Sequence, residues 1–139
     1  MRLWHVDLLK YLPKGQLLSQ WRELNSIFAK EDKHILINYI YEYSKNDLYV
    51  YTEKVIEEMK KRCYQIRSYE KMNKYFENLE SVKHVKPFKN HHDNEYLQIC
   101  YYNLKEKFIR GQKDFEEEMY NNLCWYVNDI LKNSIDGFK

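Results

Sequence analysis

Glycine and proline are so scarce in this chain that a fold with many tight turns is disfavoured. Only 3 glycines and 2 prolines occur among its 139 residues. Both residue types mark turns, and a fold built from many short strands needs many of them. Their scarcity favours a few long helices, and the length favours a single domain spanning residues 1–139.

Apolar side chains recur at helical spacing along several stretches. Leu17, Leu24 and Phe28 illustrate the first pattern, and Leu48 and Val55 the second. Such periodicity predicts amphipathic helices that meet in one core, so we expect an all-α, compact helical bundle. Residues 35–43 are rich in β-branched and aromatic side chains, and their spacing does not separate strand from helix. The predicted helices are 14–29, 46–63, 95–110 and 112–133, with a weaker one at 69–80.

Charge and cysteine content narrow the function classes only in part. A net charge of +2 and a pI of about 8.3 neither require nor exclude a nucleic-acid partner. Cys63, Cys100 and Cys124 form no CxxC pair, so we expect reduced, buried cysteines and no disulfide framework or zinc ribbon. No window reaches the ~18 apolar residues that span a membrane, and we expect a cytoplasmic protein.

Familiar catalytic motifs are missing from the sequence. It has no glycine-rich phosphate loop, no HExxH and no nucleophile elbow. In the stretch HHDNE, His91 and Glu95 are four residues apart, but a solvated polar loop over 81–94 is favoured over metal ligation. A Cys–His nucleophile would need His34 or His84 beside a cysteine, and nothing in the sequence places either there.

Polar side chains form a stripe on the first predicted helix. Gln16, Gln20 and Glu23 share one face at helical spacing, and Arg22 borders them. Periodicity alone favours an ordinary exposed helix face for this stripe.

The N-terminal residues as a set carry more information than the stripe. Arg2 follows the initiator Met1 directly, and QLLSQWREL (16–24) is followed by KH (33–34). Together they resemble the phage-type pyrimidine dimer DNA glycosylase family, also called the endonuclease V type of dimer-repair enzyme. EKVIEEMKKRCYQI (53–66) and NLKEKF (103–108) match more loosely, and most of the resemblance lies in the first 66 residues.

This resemblance implies a helical enzyme that needs no metal or cofactor and acts on double-stranded DNA carrying a lesion, as a monomer. In the family the N-terminal α-amine attacks the sugar C1′, a flipped base leaves, and a Schiff base precedes β-elimination. Pyrimidine dimers are the substrate the resemblance implies, and abasic sites or another lesion are the alternatives. The implied catalytic residues are Met1 and Glu23, and the implied DNA-binding residues are Arg2, Gln16, Arg22, Lys33, His34 and Lys107.

An α-amine suits this role because its reference pKa is only about 7.7–8.0, so a fraction is neutral and nucleophilic at pH 7. A carboxylate such as Glu23 would stabilise the positively charged sugar intermediates and move protons.

Several positions depart from the family pattern. Because aminopeptidases rarely cleave before a side chain as large as that of Arg2, we expect Met1 to be retained and its amine to be the nucleophile. Gln16 replaces a histidine, and Ser26 and Asn103 stand where cations are expected. Fewer cations imply a weaker grip on phosphates and a flatter salt dependence. The alternatives are a non-catalytic helical DNA-binding module and, given the 14 tyrosines, a helical protein-interaction domain.

Overall fold

The structure is a computed structural model that describes residues 1–136, and that part of the chain contains helices and no strands. The prediction of an all-α fold is therefore confirmed. Two 3₁₀ helices accompany the α-helices, at Val6–Tyr11 and Asn38–Glu42. The α-helices are α1 (Lys14–Lys30), α2 (Lys45–Lys61), α3 (Glu70–Tyr75), α4 (Asn94–Ile109) and α5 (Glu117–Asp136).

Helix boundaries agree with the sequence for α1, α2 and α4 to within two residues. Two predicted helix boundaries were wrong. The helix predicted at 69–80 ends at Tyr75, and the one predicted to start at 112 starts at Glu117. In both places an apolar side chain next to the helix, Phe76 or Phe115, is buried although its backbone is not helical. Each residue continues the helical spacing of apolar side chains, which is why the sequence pattern extended the helix too far.

The N-terminal segment, residues 1–5, has no regular secondary structure, and its residues 3–5 are buried within the helical assembly. Leu3 is fully buried and Trp4 is 8% exposed. The 3₁₀ helix that follows packs against α2 and α5, while α1 packs against α2 and α3, and α4 against α5. Burial of these apolar side chains from water ties the start of the chain to the core.

Two expectations about burial are corrected by the structure. Cys63 is exposed because α2 ends at Lys61 and Cys63 adopts a left-handed φ of 64°, and only Cys100 of the three cysteines is fully buried. The loop before α4 is not solvated throughout: Phe88 is fully buried and His92 is 1% exposed. Both pack among aromatic rings that come from other parts of the chain.

None of the helices within residues 1–136 has the length and apolar character needed to cross a membrane.

Candidate active site at the amino terminus

Side chains from three helices hold the backbone of the N-terminal segment. Gln20 on α1 accepts a hydrogen bond from the backbone N–H of Trp4 through Oε1 at 2.8 Å. Tyr51 on α2 donates its hydroxyl to the carbonyl of Trp4 at 2.7 Å, and Tyr96 on α4 donates to the carbonyl of Leu3 at 2.5 Å. Buried backbone groups require partners, and an extended segment with no neighbouring strand finds them in side chains. The start of the chain is thereby fixed against α1.

The Glu23 carboxyl group lies beside the chain start. Burial raises its pKa, whereas the positive charge of the N-terminal amine, the Arg2 backbone N–H and the Arg22 guanidinium act in the opposite direction. The charge of the amine thus reaches this carboxyl group, and Met1 itself is 38% exposed. The arrangement presents a free amine at the surface with a half-buried carboxyl group next to it.

Gln20 bridges the Arg2 backbone and the Glu23 carboxyl group. It lies one turn before Glu23 on α1 and is fully buried, contrary to the expectation of an exposed face. Its Nε2 donates to the carbonyl of Arg2 at 3.1 Å and to Oε2 of Glu23 at 3.2 Å. The stripe predicted from the sequence is correct in register, but the N-terminal segment covers it at Gln20.

The Arg2 side chain turns toward α4. Its guanidinium carbon lies 5.8 Å from the centroid of the Tyr96 ring, a cation–π distance. Burial raises the pKa of Tyr96, and the Arg2 charge partly offsets that effect. Arg2 is half-buried: its backbone carbonyl accepts from Gln20 Nε2, while its side chain lies against the Tyr96 ring.

A histidine pair lies behind the N-terminal segment. His92 accepts a hydrogen bond from the backbone N–H of Val6 at Nδ1, 3.1 Å away, and its Nε2 lies 2.7 Å from the Tyr39 hydroxyl. Its ring stacks on that of His5, with the centroids 5.3 Å apart. Burial, followed by the charges of His5, His91 and Lys86, lowers the pKa of His92 to about 2. His92 is therefore neutral at physiological pH and acts as an acceptor for the backbone.

No pattern in the sequence indicates the role of His92. Its partner Val6 is 86 residues away, and His91, its neighbour, is partly exposed. Among residues 1–136, His, Cys, Asp and Glu side chains form no group of three or more that could hold a metal ion.

Apart from Arg2 at the chain start, the implied DNA-binding residues fall in three places. Arg22 is exposed next to Glu23 and donates to the Ser19 hydroxyl at 2.8 Å. Lys33 and His34 are exposed in the loop that follows α1, where the Lys33 ammonium lies 3.7 Å from the centroid of the Tyr41 ring. These residues lie on or directly after α1, the helix that carries Glu23.

Gln16 and Lys107 are both hydrogen-bonded to a third residue, Gln112. The Gln112 side-chain amide donates to Oε1 of Gln16 at 2.5 Å, and its backbone N–H donates to the carbonyl of Lys107 at 3.1 Å. Both Gln16 and Lys107 are half-buried. The structure thus brings these two residues, from α1 and α4, into one neighbourhood.

A basic groove adjoins Arg22. It has a volume of about 870 Å³ and runs between α1 and the segment that leads into α3. Four cationic side chains line it, together with the aromatic ring of Trp21 and one carboxylate, Glu70. The cations are Arg22, Lys30, Arg67 and Lys71. Such a surface suits a polyanionic ligand, although the net charge of the chain is only +2.

The fold and the site together define a helical protein whose amino terminus is held against a carboxyl group on its first long helix. The family model for pyrimidine dimer DNA glycosylases matches residues 1–72, just over half of the chain, and the protein belongs to that family. The match includes both the N-terminal segment and Glu23 and leaves out α4 and α5. No curated protein and no solved structure matches the chain significantly.

Proposed function

We propose that this protein is a DNA glycosylase with abasic-site lyase activity, in which the α-amine of Met1 is the nucleophile and Glu23 its acid–base partner. The proposed substrate is double-stranded DNA that contains a pyrimidine dimer. The observation that carries the proposal is the half-buried Glu23 carboxyl group beside the chain start, where Gln20 Nε2 donates both to Glu23 Oε2 at 3.2 Å and to the Arg2 carbonyl at 3.1 Å. Membership of the pyrimidine dimer DNA glycosylase family supports the substrate class.

In the first proposed step, the lone pair of the neutral α-amine forms a bond to C1′ of the damaged nucleotide. The bond between C1′ and the base nitrogen breaks, and its electron pair leaves with the base, which takes up a proton. In a dimer the released base stays attached to its partner base. The nitrogen, now bonded to C1′, gives its extra proton to a nearby acceptor, for which Glu23 is well placed.

Ring opening and elimination follow. Protonation of O4′ by the Glu23 carboxyl group lets the C1′–O4′ bond break, which leaves an iminium between C1′ and the Met1 nitrogen. Loss of a proton from C2′ then expels the 3′ phosphate, and water hydrolyses the imine to release the protein. The raised pKa of Glu23 suits a group that must hold a proton at one step and accept one at another.

The proposed DNA grip is electrostatic. Arg22 and the other cations of the basic groove, with Lys33 and His34 after α1, would contact phosphates close to the reacting sugar. Arg2 would support this grip from its half-buried position, and Gln16 and Lys107 would contact DNA from the region around Gln112. Phosphate contacts fix the position of the duplex and carry no sequence information, as a lesion-specific enzyme requires.

The test is borohydride trapping on untagged protein whose intact mass shows that Met1 is the first residue of the mature chain. Dimer-containing DNA and abasic DNA are each incubated with the protein and reductant, with undamaged duplex as the control. We expect a covalent adduct that peptide mass analysis assigns to Met1. The absence of an adduct with both damaged substrates would overturn the proposal.

A non-catalytic DNA-binding module is the second candidate. One observation favours it: Asn103, where a cation is expected, donates its side-chain amide to the carbonyl of Ile99 on its own helix at 2.8 Å. That position therefore adds no charge for a phosphate. Salt-sensitive binding of damaged DNA without any adduct would support this candidate.

A further inference from the structure

We infer that Gln20 is a positioning residue, whose amide holds the backbone at Arg2 and the Glu23 carboxylate in one fixed arrangement. The inference rests on the proposed function, since it concerns the same amine and carboxylate. Neither the family match nor the periodicity of α1 assigns a role to this residue.

Every hydrogen-bonding site of the Gln20 amide has a partner. Oε1 faces the Trp4 N–H at 2.8 Å and the Tyr51 hydroxyl at 2.9 Å. Nε2 faces the Arg2 carbonyl at 3.1 Å and Glu23 Oε2 at 3.2 Å. An amide offers two donors and two acceptor sites, so the set is complete.

The partners also fix which way the amide points. The Trp4 N–H can only donate, and therefore the atom facing it must be the oxygen. The nitrogen then faces the Arg2 carbonyl and Glu23, both of which accept. A flipped amide would set donor against donor at Trp4 and acceptor against acceptor at Arg2, at a fully buried position where unmade hydrogen bonds are costly.

Tyr51 contacts the same amide oxygen from α2. It is fully buried, and burial raises its pKa well above the ordinary value, so the hydroxyl stays protonated. Its one proton is shared between the Trp4 carbonyl at 2.7 Å and Gln20 Oε1 at 2.9 Å. Gln20 Oε1 is thus in contact with a buried side chain of α2 rather than with solvent.

The consequence is a structural link between Glu23 and the backbone next to the nucleophilic amine. Glu23 Oε2 accepts from Gln20 Nε2, and the same Nε2 donates to the Arg2 carbonyl. A single amide therefore ties Glu23 to the carbonyl of Arg2, the residue next to Met1. Because a misplacement of about 1 Å can cost about 100-fold in rate, such a tie matters for chemistry more than for DNA binding.

The isosteric variant Gln20→Glu tests the inference in the free protein. It replaces the donor at Nε2 with a carboxyl oxygen close to Glu23 Oε2, and two carboxyl groups at that distance must share a proton. We expect ¹³C NMR titration to show Glu23 in a coupled pair whose upper pKa exceeds that of Glu23 in the parent protein. A Glu23 titration that is unchanged in Gln20→Glu would overturn the inference.

Asn46→Asp is the matched control. Asn46 is also a buried amide that holds backbone: its Nδ2 donates to the Lys83 carbonyl at 2.8 Å, and its Oδ1 accepts the Lys83 N–H at 2.8 Å. Neither of these hydrogen bonds involves Glu23 or the N-terminal segment. We expect Asn46→Asp to lower thermal stability and to leave the Glu23 titration unchanged.

Single-turnover trapping provides the second measurement. Gln20→Leu keeps the side-chain size and loses both donors, and we expect a trapping rate about 100-fold lower with abasic DNA at an unchanged Kd. A Gln20→Leu protein that is folded and traps at the parental rate contradicts the inference. Failure of the parent protein to trap contradicts the proposed function instead, and the NMR titration still decides the role of Gln20.

Discussion

The backbone N–H of Val6 donates a hydrogen bond to Nδ1 of His92, 3.1 Å away, across 86 residues of sequence. This bond, with the stacking of His92 on His5, fastens the start of the chain to the loop before α4. The segment that carries the candidate nucleophile therefore depends on a neutral histidine. Because protonation of Nδ1 would remove the acceptor, the integrity of the site is linked to pH.

We expect the protein to lose stability as the pH falls below 6.5. The pKa of His92 is lowered from 6.5 to about 2 in the folded state, so below pH 6.5 the unfolded chain binds a proton that the folded chain does not. The stabilising contribution is complete above pH 6.5 and is lost progressively as the pH approaches 2. For one histidine the slope is about 1.4 kcal/mol per pH unit. Urea unfolding at several pH values between 7.5 and 5 measures this change in the free energy of unfolding.

Two variants separate His92 from other titrating groups. His92→Asn retains an acceptor for Val6 but has no group that titrates in this range, so its stability should fall less steeply between pH 6.5 and 5. His84→Asn is the control, because His84 is exposed. Equal slopes in the parent and in His92→Asn would show that His92 is not the group responsible.

Replacing Glu23 by Gln should separate chemistry from folding. The amide oxygen can still accept the hydrogen bond from Gln20 Nε2, but the group can neither exchange protons nor carry charge, so we expect strand cleavage to fall at least about 100-fold. Because burial raises the pKa of Glu23, its charge is unfavourable in the folded state, and the melting temperature of Glu23→Gln at pH 7 should not fall. Glu53→Gln on α2 is the control and should cleave normally. Intact cleavage by Glu23→Gln would remove Glu23 from the proposed mechanism.

Adding one glycine before Met1 should abolish adduct formation. An extra residue moves the amine by up to about 3.5 Å and places a peptide group where the nucleophile stood. The binding cations are untouched, so the Kd for abasic DNA should stay within about twofold by that reasoning. A glycine added after Lys139 is the control extension. An adduct formed at the normal rate by the N-terminally extended protein would point to a lysine nucleophile.

The spacing of apolar residues predicted where the helices form, but not which segments of the chain pack on their polar faces. Leu17 and Leu24 recur at helical spacing because they face the core, and α1 forms where that spacing predicts it. The register that puts Gln20 and Glu23 on one face is likewise a local property. Whether that face meets water depends on where residues 1–5 lie, which spacing within α1 does not encode.

The parts of the site that escaped sequence reasoning are contacts between distant segments. His92 and Tyr51 contribute through bonds to Val6 and Trp4, and no local pattern relates these positions. Gln112, in the turn after α4, reaches α1 through one side-chain hydrogen bond of the same kind, to Gln16. Such polar contacts specify a site only after the apolar faces have packed, so they follow from the tertiary structure rather than from any window of the sequence.

Arg22→Ala should weaken DNA binding and make the binding constant less dependent on salt concentration. Arg22 is exposed beside Glu23 and lines the basic groove, so its removal should cost one phosphate contact. The slope of log K against log salt concentration should become less negative by about 0.9, with similar loss on damaged and undamaged duplex. Lys54→Ala is the charge-matched control, because Lys54 is exposed on α2 beside Val6 and Asp7, outside that groove. Equal slopes for Arg22→Ala and Lys54→Ala would show that the groove does not follow a DNA strand.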